Sequence, residues 1–382
     1  MKKTLLALLL LASPAAAESL QFQLGYVFDS WSSNFIYSGT EHRMPASLRL
    51  TTGDFGLSAE GAFVSGDYQR TEGGGLDAGS FQASQFSDTT LTASWDMKAG
   101  PSLVSNLTGS VQFASGDTTW EANSSVAAIP FIFEPSFYHG RGWGGSLFWS
   151  IASTDETFNW GAGAGYLLTT TYNIGSVDQG TFNPGDSLVA MGGMGGRLSP
   201  TGTIGMQVFH TFAFESKVTD PLSQFTSAES TVFTGQWLEK MGGDKFSLNA
   251  SYSFYGRGWV ADPVTGDQVR EDENFLGDRL ELRPFLGWAA GPGVSMMTGL
   301  VWDRIFPNGY DATVPLYYQA GGDLFGVEQG VTFSMGGGTF LNLVGLYHLV
   351  INEKAATDQV TGSLYDVAYH RVSFGTNVGF QW

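Results

Sequence analysis

The chain of 382 residues has no cysteine. That absence excludes a disulfide scaffold, thiolate metal sites and a lipid-modified N-terminal cysteine. Charge is scarce as well. Only 14% of residues are charged, and 18 basic residues stand against 36 acidic ones, for a net charge of −18. No basic patch points to a nucleic-acid partner. Beyond the first residues there is no uninterrupted apolar run that would make a membrane helix. The best candidate, Pro284 to Trp302, is 19 residues without a charge, but Pro292 lies in its middle and would break a helix. Both halves alternate, so the stretch reads as two strands joined by a tight turn. What the chain does have is glycine, 52 residues, and aromatics at 14%. The aromatic content argues against disorder, and no G-X-Y period exists.

The first residues form a basic stub, Met1-Lys2-Lys3, an apolar run from Thr4 to Leu11, and the small-residue stretch Ser13-Pro-Ala-Ala-Ala17. This is the pattern of a secretory signal peptide over residues 1–17, cleaved after Ala17. The apolar run is too short to span a bilayer as a helix. Residues 18–382 are then one mature domain. Losing Lys2 and Lys3 moves the net charge from −18 to −20.

Along the mature chain, segments of about ten residues alternate between apolar and small or polar positions. Leu20, Phe22, Leu24, Tyr26 and Phe28 oppose Gln21, Gln23, Gly25 and Asp29; Phe246, Leu248, Ala250, Tyr252 and Phe254 oppose Lys245, Ser247, Asn249, Ser251 and Ser253. A period of two means strands, and ten residues match a tilted membrane strand. Short connections such as Thr52-Gly-Asp54, Met241-Gly-Gly-Asp244 and Gly336-Gly-Gly338 alternate with long polar ones such as 67–87, 173–186, 256–276 and 352–364. The expectation is an all-β fold: a transmembrane antiparallel up-and-down β-barrel with short periplasmic turns and longer extracellular loops. The count is sixteen strands, within a range of fourteen to eighteen: 20–31, 44–52, 55–66, 88–98, 102–113, 144–153, 159–172, 187–198, 203–214, 227–240, 245–256, 277–289, 293–305, 313–335, 340–352 and 365–382. Pro284 and Pro315 fall inside strands, where a bulge or local break is expected. A first strand at Leu20 and a last at Trp382 leave the mature chain nearly all barrel, without a plug or a periplasmic domain.

The chain ends on an apolar stripe, Val378, Phe380 and Trp382. This resembles the terminal signal of Gram-negative outer-membrane barrel proteins. The resemblance implies that these three residues are read by the barrel assembly machinery and that outer-membrane lipid and lipopolysaccharide surround the protein. A second resemblance rests on Asp88-Thr-Thr-Leu-Thr-Ala-Ser-Trp95, the turn at Pro101, Val111-Gln-Phe-Ala-Ser-Gly-Asp117 and Ala62-Phe-Val-Ser-Gly-Asp67. These pieces are similar to a hairpin in outer-membrane transporters of aromatic-degradation pathways. It implies uptake of small hydrophobic or aromatic molecules.

The lumen candidates follow from parity alone. Arg49, Glu60, Asp96, Arg279, Glu281, Arg283, Glu328, Asn342, His348, Arg371 and Asn377 each oppose the apolar stripe of their strand. Closure of the last strand on the first brings Asp29 and Arg371 together near the outer rim. The long loops are acidic and the inward charges nearly balance, so the expected pore has a weak cation preference. Expected, then, is a porin-like channel for passive passage of small solutes, with neither a catalytic group, a cofactor nor a metal. Two alternatives stay open: a barrel hydrolase of lipid or peptide, with His348 as its best candidate, and a surface adhesin or antigen. His42 is placed in a loop after Glu41, and His370 on the outward face. The acidic stretch Asp262 to Glu273 reads as a solvated loop, since it lacks the D-x-[DN]-x-[DN]-G calcium pattern. The apolar segment Ile129 to Tyr138 enters the lumen, continues a longer strand or packs against the rim lipid, although Pro130 and Pro135 disfavour a central strand.

Overall fold

A computed structural model describes residues 19–33, 37–70, 79–116, 142–155, 157–173, 181–183, 185–214, 217–218, 229–261, 268–270, 273–274, 277–309, 321–357 and 364–381. The signal segment, Trp382, Pro315 and the 129–138 segment lie outside the described residues. Among the described residues all the regular structure is strand. In the first half these are β1 (Ser19–Ser33), β2 (Tyr37–Thr52), β3 (Phe55–Arg70), β4 (Gly79–Phe86), β5 (Thr89–Gly100), β6 (Leu103–Phe113), β7 (Gly144–Ser153), β8 (Phe158–Thr169), β9 (Tyr172–Asn173), β10 (Thr181–Asn183) and β11 (Ser187–Arg197). In the second they are β12 (Gly202–Ala213), β13 (Lys217–Val218), β14 (Ser230–Met241), β15 (Asp244–Tyr255), β16 (Trp259–Ala261), β17 (Gln268–Arg270), β18 (Arg279–Gly291), β19 (Val294–Ile305), β20 (Gly322–Gly336), β21 (Thr339–Thr357) and β22 (Leu364–Gln381).

Sixteen of these strands pair antiparallel, each with its neighbour in sequence, and β22 returns to β1. The sixteen-strand expectation holds, and the barrel is closed. Closure leaves no open sheet edge, which lipid could not hydrogen-bond. The seam runs from Gln21↔Gln381 to Ser33↔Tyr369. β4 is one strand beyond the sixteen. It continues β5 along the same neighbour, β3, after a one-residue slip in register between Phe63↔Phe86 and Glu60↔Thr90. Ser87 fills the slip: its amide donates to the Ala62 carbonyl and its Oγ accepts from the Ala62 amide, both at 2.8 Å. In the long connections, β9, β10 and β13 form a small sheet and β16 pairs with β17.

Register divides the wall into two faces. Phe22↔Leu48 and Leu24↔Ala46 share one; Gln21↔Arg49 and Gln23↔Ser47 share the other. Carried round the barrel, the first face holds most of the large apolar side chains that stay exposed, among them Trp95, Leu147, Trp149, Trp160, Met206, Leu300 and Phe374. Leu238 is an exception on the polar face. An apolar exterior around a polar interior is the arrangement a hydrocarbon belt selects. The protein is an outer-membrane β-barrel.

Proline acts locally. At Pro284 the ladder to β19 lapses between Leu282↔Trp302 and Phe285↔Gly299, while pairing to β15 runs through Leu248↔Pro284. The expected break is there, without a bulge, because the register on both sides is the same. Pro45 interrupts the β1–β2 ladder in the same way, between Leu24↔Ala46 and Val27↔Arg43. Gly25 makes room for it: a Cβ there would lie 2.9 Å from Pro45 Cγ. The run Gly336, Gly337 and Gly338, with φ of 81°, 57° and 75°, turns β20 into β21 where other residues would be strained.

Candidate functional site in the lumen wall

The inward face has two unlike halves. The first comprises β18 to β22 and β1 to β3. Here Asp29 and Glu41 are 0% exposed and Asp303 1%, with Leu324 at 2% and Val350 at 0% among them. Asp29 sits at the seam. It accepts from Arg371, at 3.2 Å from Nε and 3.0 Å from Nη2, and also from Arg43 Nη2 and the Ser373 hydroxyl. Arg43 Nε reaches Glu41 at 3.2 Å. The expected Asp29–Arg371 pair thus forms, within a larger group. A second group begins at Asp303, which takes two 2.9 Å bonds from Arg279 Nε. Arg279 approaches Glu281 at 3.6 Å, Glu281 meets Arg283 at 2.7 Å, and Arg283 reaches Glu328 at 3.6 Å. One row of the ladder links the groups: Glu328↔Leu346, Leu346↔Ser373, Ser373↔Asp29, Asp29↔Glu41. Burying charge is costly unless each charge is paired and hydrogen-bonded. Alternating guanidinium and carboxylate meets that condition, so these charges are spent on each other.

The second half, β5 to β15, carries hydroxyls, amides and glycine. Ser110 and Ser146 are 2.6 Å apart; Thr108 donates to Asn106 at 2.6 Å, and Asn106 to Asp96 at 2.7 Å. Among its described inward residues only Gly165 and Ser253 are buried. Its inward charges, Asp96, Lys98, Arg197, Lys240 and Lys245, are exposed and stand at the periplasmic ends of their strands. Between β7 and β14 the wall holds a recess of about 510 Å³, bordered by Ser150, Asn159, Met191, Gln207, Phe209 and Gln236.

Large inward rings are laid flat on glycine. Trp31 faces Gly39, Phe148 faces Gly165, Phe285 faces Gly299, His348 faces Gly326 and Phe340 faces Gly379, each directly across the ladder. In every pair a Cβ on the glycine would run into the ring, at 2.6 Å for Trp31. Without the Cβ the ring lies along the wall instead of projecting into the pore.

No family model and no curated protein matches the chain. Solved structures with similar chains include Acinetobacter baumannii OccAB4, at 8% identity and TM-score 0.48, covering 97% of this chain and 100% of that one. Pseudomonas aeruginosa OccK7 (OpdD) is 9% identical, TM-score 0.46, covering 95% and 99%. Pseudomonas aeruginosa OpdK with vanillate is 11% identical, TM-score 0.45, covering 95% and 99%. Likenesses of this degree carry no argument about what this barrel passes or binds.

The structure places the parity-selected residues unevenly. Arg279, Glu281, Arg283, Glu328, His348 and Arg371 fall in the charged half, and Asn342 pairs with Asn377 below them. Asn377 donates to Gln23 at 3.4 Å. Arg49 and Glu60 are exposed lower on the wall, opposite Ser58 and Ser47, and Asp96 stands on β5, the strand paired with that of Glu60. Val378 and Phe380 face outward, opposite Leu24 and Phe22. Glu41 and Arg43 escaped the sequence reading, because β2 starts at Tyr37 rather than 44. Pro45 hid the alternation Gly39, Glu41, Arg43 that continues above it. His42 is therefore a strand residue, outward-facing, with Nδ1 2.7 Å from the Tyr26 hydroxyl. His370 is outward as expected, 2.8 Å from the Tyr347 hydroxyl. Asp303 and Ser373 were missed too, although parity alone would have found them.

Proposed function

We propose that the protein is a channel through which small solutes cross the outer membrane passively. One observation carries this: a closed sixteen-strand wall whose polar inner face stays at least partly exposed over most of β5 to β15. Barrels of this size hold an aqueous interior unless it is filled. In this reading Arg49, Glu60 and Asp96 border the path, while Arg279, Glu281, Arg283, Glu328, His348 and Arg371 shape the opposite wall, with Asn342 and Asn377 beneath. Val378 and Phe380, with Trp382, serve the barrel assembly machinery. Passage of hydrophobic or aromatic molecules rests on the hairpin resemblance alone. A hydrolase at His348 has little to support it. His348, Ser373 and Asp29 are at most 5% exposed, and the Ser373 hydroxyl donates to Asp29 rather than to a base. Liposome swelling with a panel of sugars and aromatic acids tests the channel. Swelling above protein-free vesicles is expected, and no permeation of any solute would remove the reading.

A further inference from the structure

The two halves of the lumen wall differ enough to assign the route. We propose that solutes cross over the β5–β15 wall, past Arg49 and Glu60 at its lower edge, pausing at the recess above Gly205, and that this track favours uncharged hydrogen-bonding solutes such as sugars, polyols or amides. The inference rests on the channel reading and names its path and solute class.

Three observations carry it. The charged half offers little to a passing solute: Asp29, Glu41, Asp303, Leu324 and Val350 are at most 2% exposed. Arg43, Arg279, Arg283 and Arg371 are engaged with Asp29, Asp303, Glu281 and Glu328. The other half is partly exposed, with Asn159, Gln207 and Gln236 well exposed, and carries groups that both donate and accept, so they replace the water hydrogen bonds a neutral polar solute sheds. An ion gains less there, since the described inward charges of that wall, Asp96, Lys98, Arg197, Lys240 and Lys245, lie toward its periplasmic end. The recess is floored by glycine as well, with Gln207 and Asn159 leaning over Gly193 and Gly195 and Gly205 left open. Gly193 and Gly195 lie along β11, and Gly205 on β12 faces Gly195 and Gln236 across its two ladders. A Cβ on Gly205 would meet nothing nearer than the Met194 carbonyl at 4.0 Å. That space belongs to a ligand or to water, not to a neighbouring ring.

The absence of cysteine makes the test clean. Gln207→Cys, Leu324→Cys and Gly345→Cys place one thiol on the exposed wall, in the buried half and on the outer face. A charged methanethiosulfonate reagent should remove most of the planar-bilayer current of Gln207→Cys and leave the other two unchanged. Gly205→Trp should cut sugar-driven swelling severalfold, while Gly345→Trp, in equally open space on the lipid side, should not. Heat-modifiable gel mobility identifies any variant that misfolds, and Gln236→Cys then replaces it. Block at Leu324→Cys without block at Gln207→Cys overturns the route. A sugar acid or benzoate entering faster than a neutral sugar of similar size overturns the solute class. A wild-type protein that never conducts removes the channel reading itself, a result distinct from either.

Discussion

The two sides of the lumen are built from the same alternating strands yet have opposite interiors. On β18–β22 and β1–β3 charged inward residues are paired, and several of them are buried around Asp29 and Asp303. On β5–β15 they are mostly neutral, and all the described ones but Gly165 and Ser253 keep some exposure. The difference teaches that polarity of the inward face does not by itself mark a water-filled path. A charge that is paired and buried holds the wall; a hydroxyl that is exposed is available to whatever passes.

The most direct way to break this comparison is to remove a hub from the charged side. Asp29→Ala leaves Arg43 and Arg371 without their shared carboxylate. It should cost about 3–5 kcal/mol, read as a lower urea midpoint for loss of the folded gel band. Ser110→Ala on the open side removes one half-buried hydroxyl contact, worth about 0.5–1.5 kcal/mol. Equal losses would erase the distinction between the halves.

Next comes the face itself. Leu248 and Asn249 are neighbours on β15 that point out and in. Leu248→Arg puts a guanidinium against lipid, costing about 2–4 kcal/mol at the midplane and less toward the interface. Asn249→Arg should fold with little loss, in the same refolding assay into lipid vesicles. The reverse order would mean the register of β15 is off by one.

Smaller still is the effect of filling glycine. Gly299→Leu collides with the Phe285 ring and should cost about 1–3 kcal/mol in overpacking. Gly205→Leu, with open space before it, should unfold at the wild-type urea concentration. The smallest effect concerns ions. Acidic loops above a balanced lumen should give a weak cation preference in reversal potential under a potassium chloride gradient. It should fade as salt shortens the screening length from about 8 Å. A clear anion preference would mean that the cations at the foot of the open side, Lys98, Arg197, Lys240 and Lys245, govern entry.

Much of the fold was legible in the sequence, and the reasons are local. Side chains of a strand alternate strictly, so Leu20 to Phe28 or Phe246 to Phe254 declare both the strand and its apolar face. Turn glycines such as Gly242 declare the ends. The reading slipped where the local signal was interrupted. Pro45 cut β2 short at 44 and hid Glu41 and Arg43; the start expected at 313 contrasts with β20 beginning at Gly322.

By itself, then, the sequence determined the strands, their number, the two faces and the need to close, because each follows from a period of two and from lipid's inability to bond an open edge. Parity and closure together also foretold that Asp29 meets Arg371. Only the tertiary structure decided which inward residues are buried and which stay open. That depends on register between strands as distant in sequence as β1 and β22, which sets Asp29 beside Ser373 and lays each ring on its glycine. No period within one strand carries that information, because burial here is a property of neighbours across the ladder.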